Sequence, residues 1–266
     1  MLIVKHLILI AFCVTLCQLA QAETKICERR YKVTVNYQAP NFVPDVQKGG
    51  KGLSFDLIKA IENRMGCTMT LNPVELPRAF EDLKSARTDI FAFGTSDEQW
   101  SKSGRFIPLY KAARLLVVSN SIYDPKKSIQ DYLKDPRIKF ADQTGGRFFY
   151  HPSESENLEK QRRVIRSPRP EHLYDFLKDG RAQAMFSSAV FNKYFVDIKD
   201  MHNKVSFVRD PKNKIEIGIY VSKRRVTPTE FQEIRKIIKD MQIEGAFRGI
   251  VARYVYPEDL TYYEDL

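Results

Sequence analysis

Arg78, in Glu75-Leu76-Pro77-Arg78, stands where an apolar run ends and a helix opens. A guanidinium there could hold a carboxylate through two parallel hydrogen bonds, or simply be solvated. Two aromatics, Tyr37 and Phe42, follow an alternating run, and either could cover the apolar part of a small molecule or pack beneath its own loop. Gln143-Thr144-Gly145-Gly146-Arg147 joins a hydroxyl to two glycines and a cation. Such a segment can cradle an anion on its amides, although Gly-Gly also makes plain turns. Glu75 and Glu98 could act as acid or base, but neither has a base partner or a metal set beside it in sequence. His151, His172 and His202 are isolated, and no His/Cys cluster has the spacing of metal ligands, so no metal or cofactor is expected.

Residues 1–22 read as an export signal: Lys5 opens it, Leu7 to Leu16 is its apolar centre, and Ala20-Gln21-Ala22 is a small-residue cleavage site. Cleavage after Ala22 is expected, giving a periplasmic chain. No later segment approaches the ~18 uninterrupted apolar residues of a membrane span. The net charge of +10 falls to +9 once Lys5 is removed. Basic and acidic residues are interspersed, and no Lys/Arg block exceeds Lys223-Arg224-Arg225. That distribution describes a solvated face rather than a nucleic-acid stripe. Two cysteines remain, Cys27 and Cys67, each just before a strand. If those strands are parallel neighbours, a structural disulfide is geometrically reasonable in an oxidising compartment, and it is favoured over two free thiols.

The elements that must position these residues alternate along the chain. After the run Tyr31 to Tyr37, Leu57, Ile58, Ile61 and Met65 form one helical stripe that Gly66 stops, and Met69 to Val74 begins a new strand. This is a strand, crossover helix and parallel strand. Pro77 to Lys84 reads as a helix, Asp89 to Phe93 as a buried strand, Gly94 to Arg105 as a polar loop, and Phe106–Tyr110 and Arg114–Val118 as extended runs. Helices at Ser128–Lys134, Glu154–Arg162, Pro170–Lys178 and Ala189–Phe195 alternate with strands at Ile138–Ala141, Val164–Ile165 and Ala182–Ser187. Val205–Val208 and Ile215–Val221 are strands again. Thr227-Pro228-Thr229-Glu230 is a capping box opening a helix, and a last helix runs from Phe247 to Tyr254.

Six segments, in order, resemble the amino-acid-binding type of extracytoplasmic solute-binding proteins, family 3, which deliver solutes to ABC importers. They are Ala39-Pro40-Asn41-Phe42, Gly52 to Leu57, Leu83 to Ile90, Arg105 to Tyr110, Ile217 to Lys223 and Gly245 to Ile250. The resemblance implies an α/β, two-lobe periplasmic-binding-protein type 2 fold, each lobe a mostly parallel sheet with flanking helices, joined by two hinge strands. Residues 23–113 and 214–266 would form lobe 1 and 114–213 lobe 2, with the ligand in the cleft. It also implies a small-molecule solute, a membrane permease as partner, and a monomer. Thr95 falls where the family offers a hydroxyl to the ligand, and Gly145, Gly146 and Arg147 fall in a loop that holds an anionic group.

Two positions depart from that pattern. The family's carboxylate-binding Arg falls at Trp100, and its ammonium-binding Asp falls at Ser188, beside Ser187. Trp100 could stack on a ring or pack under its loop. With that clamp missing, the expected ligand is a small polar or anionic compound other than an ordinary α-amino acid. Three alternatives are carried: a dehydratase on the same fold, a ligand-sensing module, and a protein-interaction module that has lost its solute.

Overall fold

The computed structural model describes residues 27, 29–45, 47–144 and 152–265. Gly145, Gly146, Arg147 and residues 1–22, where an export signal is expected, therefore lie outside the described residues. The first unit is built as its pattern predicts. Strand β1 (Tyr31–Asn36) lies parallel to β2 (Met69–Val74) and to β3 (Ile90–Thr95). Helix α1 (Leu53–Met65) crosses between β1 and β2 and ends at Gly66, whose φ of 67° gives the left-handed cap. Its stripe Leu57, Ile58 and Ile61 is at most 1 % exposed, each side chain contributing about 1.5–3 kcal/mol of burial. Polar substitution at Ile58 would put an unpaired group in that core. Cys27 and Cys67 are bridged across the starts of β1 and β2, with a Cα–Cα distance of 5.2 Å.

Helix α2 (Leu76–Lys84) joins β2 to β3, and beyond β3 the chain forms α3 (Glu98–Ser103) and the long strand β4 (Gly104–Ser119). Lobe 2 adds α4 (Ile129–Lys134), β5 (Phe140–Gln143), α5 (Pro152–Lys160), β6 (Val164–Ser167), α6 (Pro170–Lys178), β7 (Ala184–Ser187) and α7 (Ala189–Lys199). The chain returns through β8 (Val205–Ser222) to α8 (Pro228–Ile243), α9 (Ala246–Val251), a 3-10 turn at Pro257–Tyr262 and β9 (Tyr263–Asp265).

The strand order is β2-β1-β3-β8-β4-β7-β5-β6, with β9 on the edge of β4. β4 and β8 pair antiparallel from Gly104↔Ser222 to Ser119↔Val205, so two strands run from one lobe into the other. Their register shifts between Pro108 and Tyr110 and again between Ala113 and Arg114. Bulges loosen the ladder at those points, so bending concentrates there. On either side sit separate cores. One gathers Leu57, Ile61, Ile219, Ile234 and Phe247; others, in lobe 2, gather Val117, Leu173 and Phe195, and Val118, Tyr132 and Phe140.

Two expectations change. Gly94 to Arg105 is not all loop: β3 runs through Thr95, and Asp97 caps α3 by accepting from the amides of Gln99 at 2.8 Å and Trp100 at 3.1 Å. The four short runs expected at Phe106–Tyr110, Arg114–Val118, Val205–Val208 and Ile215–Val221 are two continuous strands, because the bulges absorb the polar interruptions.

Candidate functional site

A cleft of about 120 Å3 opens where the strands of the two lobes end. Lobe 1 contributes Asn36 from the end of β1, Thr95 from the end of β3, and Gln38, Asn41 and Ser54 from the loop and helix start between β1 and β2. Lobe 2 contributes Asp142 and Gln143 from the end of β5, Tyr174 from α6, Ser187 from the end of β7 and Ser188 from the cap of α7. Phe93, Tyr110, Phe186 and Tyr263 add aromatic wall. The carboxyl ends of strands are where open α/β sheets bind ligands, since helix starts and loop amides converge there.

The sequence candidates divide. Thr95, Ser187 and Ser188 line the cleft. Phe42 is 1 % exposed and packs in the lobe 1 core, so its ring lies beneath the loop rather than over a ligand. Tyr37 is 54 % exposed and not in the lining. Arg78 pairs with Asp82 at 2.9 Å, and that carboxylate also accepts from Arg87 at 2.8 Å, so an intrahelical ion pair occupies its charge away from the cleft. Trp100 is absorbed by a cluster of rings, with centroids 4.4 Å from Phe91, 5.2 Å from Phe80 and 5.6 Å from Tyr220. Tilted contacts of this kind favour packing, and the indole is not among the cleft residues. Gly145, Gly146 and Arg147 lie outside the described residues.

Sequence reasoning missed Asn36, Gln38, Asn41, Asp142 and Tyr174, and named Gln143 only as the start of the Gly-Gly segment. Their signal was positional: Asn36 and Gln143 end strands, and Asp142 precedes the Gly-Gly segment. Among the described residues no Lys or Arg lines the cleft, and Asp142 is the one acid that does. Burial pushes the Asp142 carboxyl up from 3.8 to about 6, with Arg166, at 3.5 Å, opposing the rise. Arg166 also pairs with Glu159. Tyr174, Tyr110 and Tyr263 have phenols raised above their ordinary value by burial, so each stays protonated.

The lobes touch across the cleft. Gln143 Nε2 donates to Gln38 Oε1 at 3.2 Å, and Asn36 Nδ2 donates to the same oxygen at 2.9 Å. On the lobe 2 wall the Tyr174 hydroxyl donates to Asn192 Oδ1 at 2.6 Å and lies 3.0 Å from Ser187 Oγ. Ser188 Oγ accepts from the amide of Phe191 at 3.3 Å, capping α7.

Residues 30–257 match the family described as bacterial extracellular solute-binding proteins, family 3. The chain belongs to that family. No curated protein matches it at a significant level. Solved structures share the two-lobe fold. A putative binding component of an ABC transporter from Wolinella succinogenes, complexed with lysine, is 16 % identical with a TM-score of 0.72, the match covering 88 % of this chain and 100 % of that one. An ancestral arginine-binding protein bound to arginine is 20 % identical, TM-score 0.66, covering 85 % and 97 %. A histidine kinase sensor domain similar to periplasmic binding proteins is 17 % identical, TM-score 0.67, covering 85 % and 96 %. The expected two-lobe α/β fold and the family 3 resemblance both hold. Among the described residues, no helix of this family 3 protein is long and apolar enough to cross a membrane, and no cluster of three or more His, Cys, Asp or Glu is placed to hold a metal.

Proposed function

We propose that this family 3 protein is an exported receptor that closes its two lobes over a small polar solute and presents the closed form to the membrane permease of an ABC importer. The reading takes the chain as cleaved after Ala22, periplasmic and monomeric, with lobes divided at 113/114 and 213/214. The observation that carries it is the cleft itself: amides and hydroxyls from both lobes converge at strand ends, and Gln38 and Gln143 meet across it. A solute touching both lobes stabilises the shut form by its differential affinity, and that is the form a permease can recognise. The described lining supports a polar solute and offers an anion no basic side chain. An ordinary α-amino acid lacks its usual partners here, since Trp100 and Ser188 stand where the clamp would be.

The test is native mass spectrometry of the mature protein, followed by calorimetry with whatever small molecule co-purifies. A bound compound of low mass that raises the melting temperature is expected, because a ligand selective for the folded state must stabilise it. A protein that emerges empty and is stabilised by no polar metabolite overturns the reading in favour of a protein-interaction module.

One observation favours a second reading, the dehydratase-like enzyme. Asp142 is a buried cleft carboxyl with a pKa near 6, the condition of a general acid or base. Its ion pair with Arg166 gives it an equally good structural role. Turnover of a carboxylated cyclic substrate that disappears in Asp142→Asn would select the enzyme.

A further inference from the structure

At the end of lobe 1 opposite the cleft, the acids are turned inward and the bases outward. This pole is where β1 and β3 begin, where β8 ends at Ser222, and where β4 starts at Gly104 beside it. Backbone hydrogen bonds join the loops there: the Asp89 amide donates to the Lys32 carbonyl at 2.9 Å, the Ser222 amide to the Asp89 carbonyl at 2.8 Å, and the Lys223 amide to the Ser103 carbonyl at 2.9 Å. Asp89 itself is 1 % exposed. Its carboxylate accepts from the Lys32 amide at 2.7 Å, from Arg225 at 2.8 Å and from Arg29 at 3.1 Å, so its charge is used beneath the surface. Glu230 accepts from Arg29 and from the Tyr31 hydroxyl, and the buried Asp82 from Arg87. Four bases are left over. Arg30, Lys32, Lys102 and Arg224 are exposed, and none has an acidic partner among the described residues. They flank strands that are consecutive in the sheet, β1-β3-β8-β4, so at ~4.8 Å per strand the row is about 15 Å wide. That width argues against a small anion. Neither the cleft nor the second cavity, which lies beside Tyr123 and Arg209, includes any of the four. A single phosphate would meet one or two of them, whereas a surface carrying many phosphates meets them all.

We infer that this pole of lobe 1 is a docking surface for an anionic phospholipid bilayer, held through Arg30, Lys32, Lys102 and Arg224. The strand that starts beside Arg30 ends at Asn36 in the cleft, so a docked molecule keeps its cleft away from the lipid and open to solute. Each base near an anionic bilayer contributes about fivefold in affinity, and the attraction fades within a Debye length of ~10 Å. Binding of that kind is reversible. It keeps an exported receptor close to the membrane and lets it go to turn its cleft side to a permease. The inference holds whatever solute fills the cleft.

The test is co-sedimentation of the mature protein with vesicles of phosphatidylcholine alone, and of phosphatidylcholine with about one third phosphatidylglycerol, at low and at near-physiological salt. The wild type is expected to sediment with the phosphatidylglycerol vesicles only, and to be released as salt rises. Millimolar inorganic phosphate should displace it no better than chloride of equal ionic strength. The variant Arg30→Gln/Lys32→Gln/Lys102→Gln/Arg224→Gln should lose about tenfold or more in partitioning. Its control removes the same charge from lobe 2, at four exposed lysines that also lack acidic partners: Lys126→Gln/Lys160→Gln/Lys178→Gln/Lys204→Gln. That control should lose less than about threefold, because its charges lie beyond a Debye length of the docked pole. Equal losses in the two variants would reduce the effect to net charge and overturn the inference. So would a wild type that ignores the phosphatidylglycerol vesicles, or one that binds soluble polyphosphate but no vesicle. None of these results touches the receptor reading, which is decided by solute binding in the absence of lipid.

Discussion

At the scale of single residues, Asp142 makes the sharpest prediction because its environment opposes its charge. Its pKa is 3.8 in an unfolded chain and about 6 in the fold, raised by burial against the pull of Arg166. Between those values the native state holds a proton that the unfolded state has released, so stability falls as pH rises through that window and levels off above it. The size of the fall is on the order of 3 kcal/mol. Asp142→Asn removes the ionisation, while Arg166 keeps Glu159. Its stability should match the wild type near pH 4 and exceed it by about 2–3 kcal/mol near pH 7. Asp259 is shifted in the same direction by its own burial, so the variant-minus-wild-type difference in urea unfolding, and not the absolute profile, isolates the effect. A difference independent of pH would mean the carboxylate is well solvated. The sequence made Asp142 hard to see, because the apolar run Phe140–Ala141 ends the visible strand signal two residues before β5 ends. Trp100 was hard to place for the opposite reason: Phe80, Phe91 and Tyr220, the rings it packs on, are brought to it from three separate elements. Ser187 and Ser188 lie in the cleft, but the hydroxyl chain from Ser187 through Tyr174 to Asn192 joins three elements that no spacing rule links.

At the scale of elements, the parallel pair β1 and β2 with α1 across it was legible, since each step has a local cause: alternation, a 3.6-residue stripe, a left-handed glycine, then alternation again. The disulfide followed from the same arrangement, as Tyr31↔Met69 pairing sets Cys27 and Cys67 side by side. That bond closes a separation of 40 residues. Loop-closure entropy gives it about 4 kcal/mol of stabilisation through the unfolded state. The Cys27→Ser/Cys67→Ser variant should therefore lose about that much in urea unfolding, with the far-UV spectrum of the folded state unchanged. A loss below ~1 kcal/mol would mean that the unfolded chain is already restrained there. What was not legible at this scale is long-range. The continuity of β4 and β8 depends on each being the other's partner over the full length, and a sequence window sees only a break at Lys111–Ala113 and a polar interruption at Pro211–Lys214. The edge strand β9 was missed likewise. Its three residues carry no strand pattern of their own and are held by pairing with Tyr110–Ala112.

At the scale of the whole molecule, closure is a balance between contacts that hold the lobes together without a solute and contacts a solute adds. The C-terminal segment ties lobe 2 to the tail: Arg209 donates to Asp259, and the Tyr256 hydroxyl to Asp197, each at 2.6 Å. Gln38 Oε1 accepts from Asn36 on its own lobe and from Gln143 across the cleft. Gln38→Ala removes the lobe 1 end of that contact and leaves Gln143 in place. A net hydrogen bond is worth about 1 kcal/mol, which converts to roughly a fivefold change in the closed-to-open ratio. Two consequences follow from that single number. The ligand-free variant should be more open, with a larger radius of gyration in small-angle scattering. The rarer competent state lowers its apparent affinity for a solute by up to about fivefold, and any contact that Gln38 itself makes as a cleft-lining residue adds to that loss. The solute-saturated radius should then return to the wild-type value. A variant whose ligand-free radius and affinity both equal the wild type's would show that the Gln38–Gln143 contact does not bias closure, and would leave the hinge strands and the C-terminal contacts as its sole determinants.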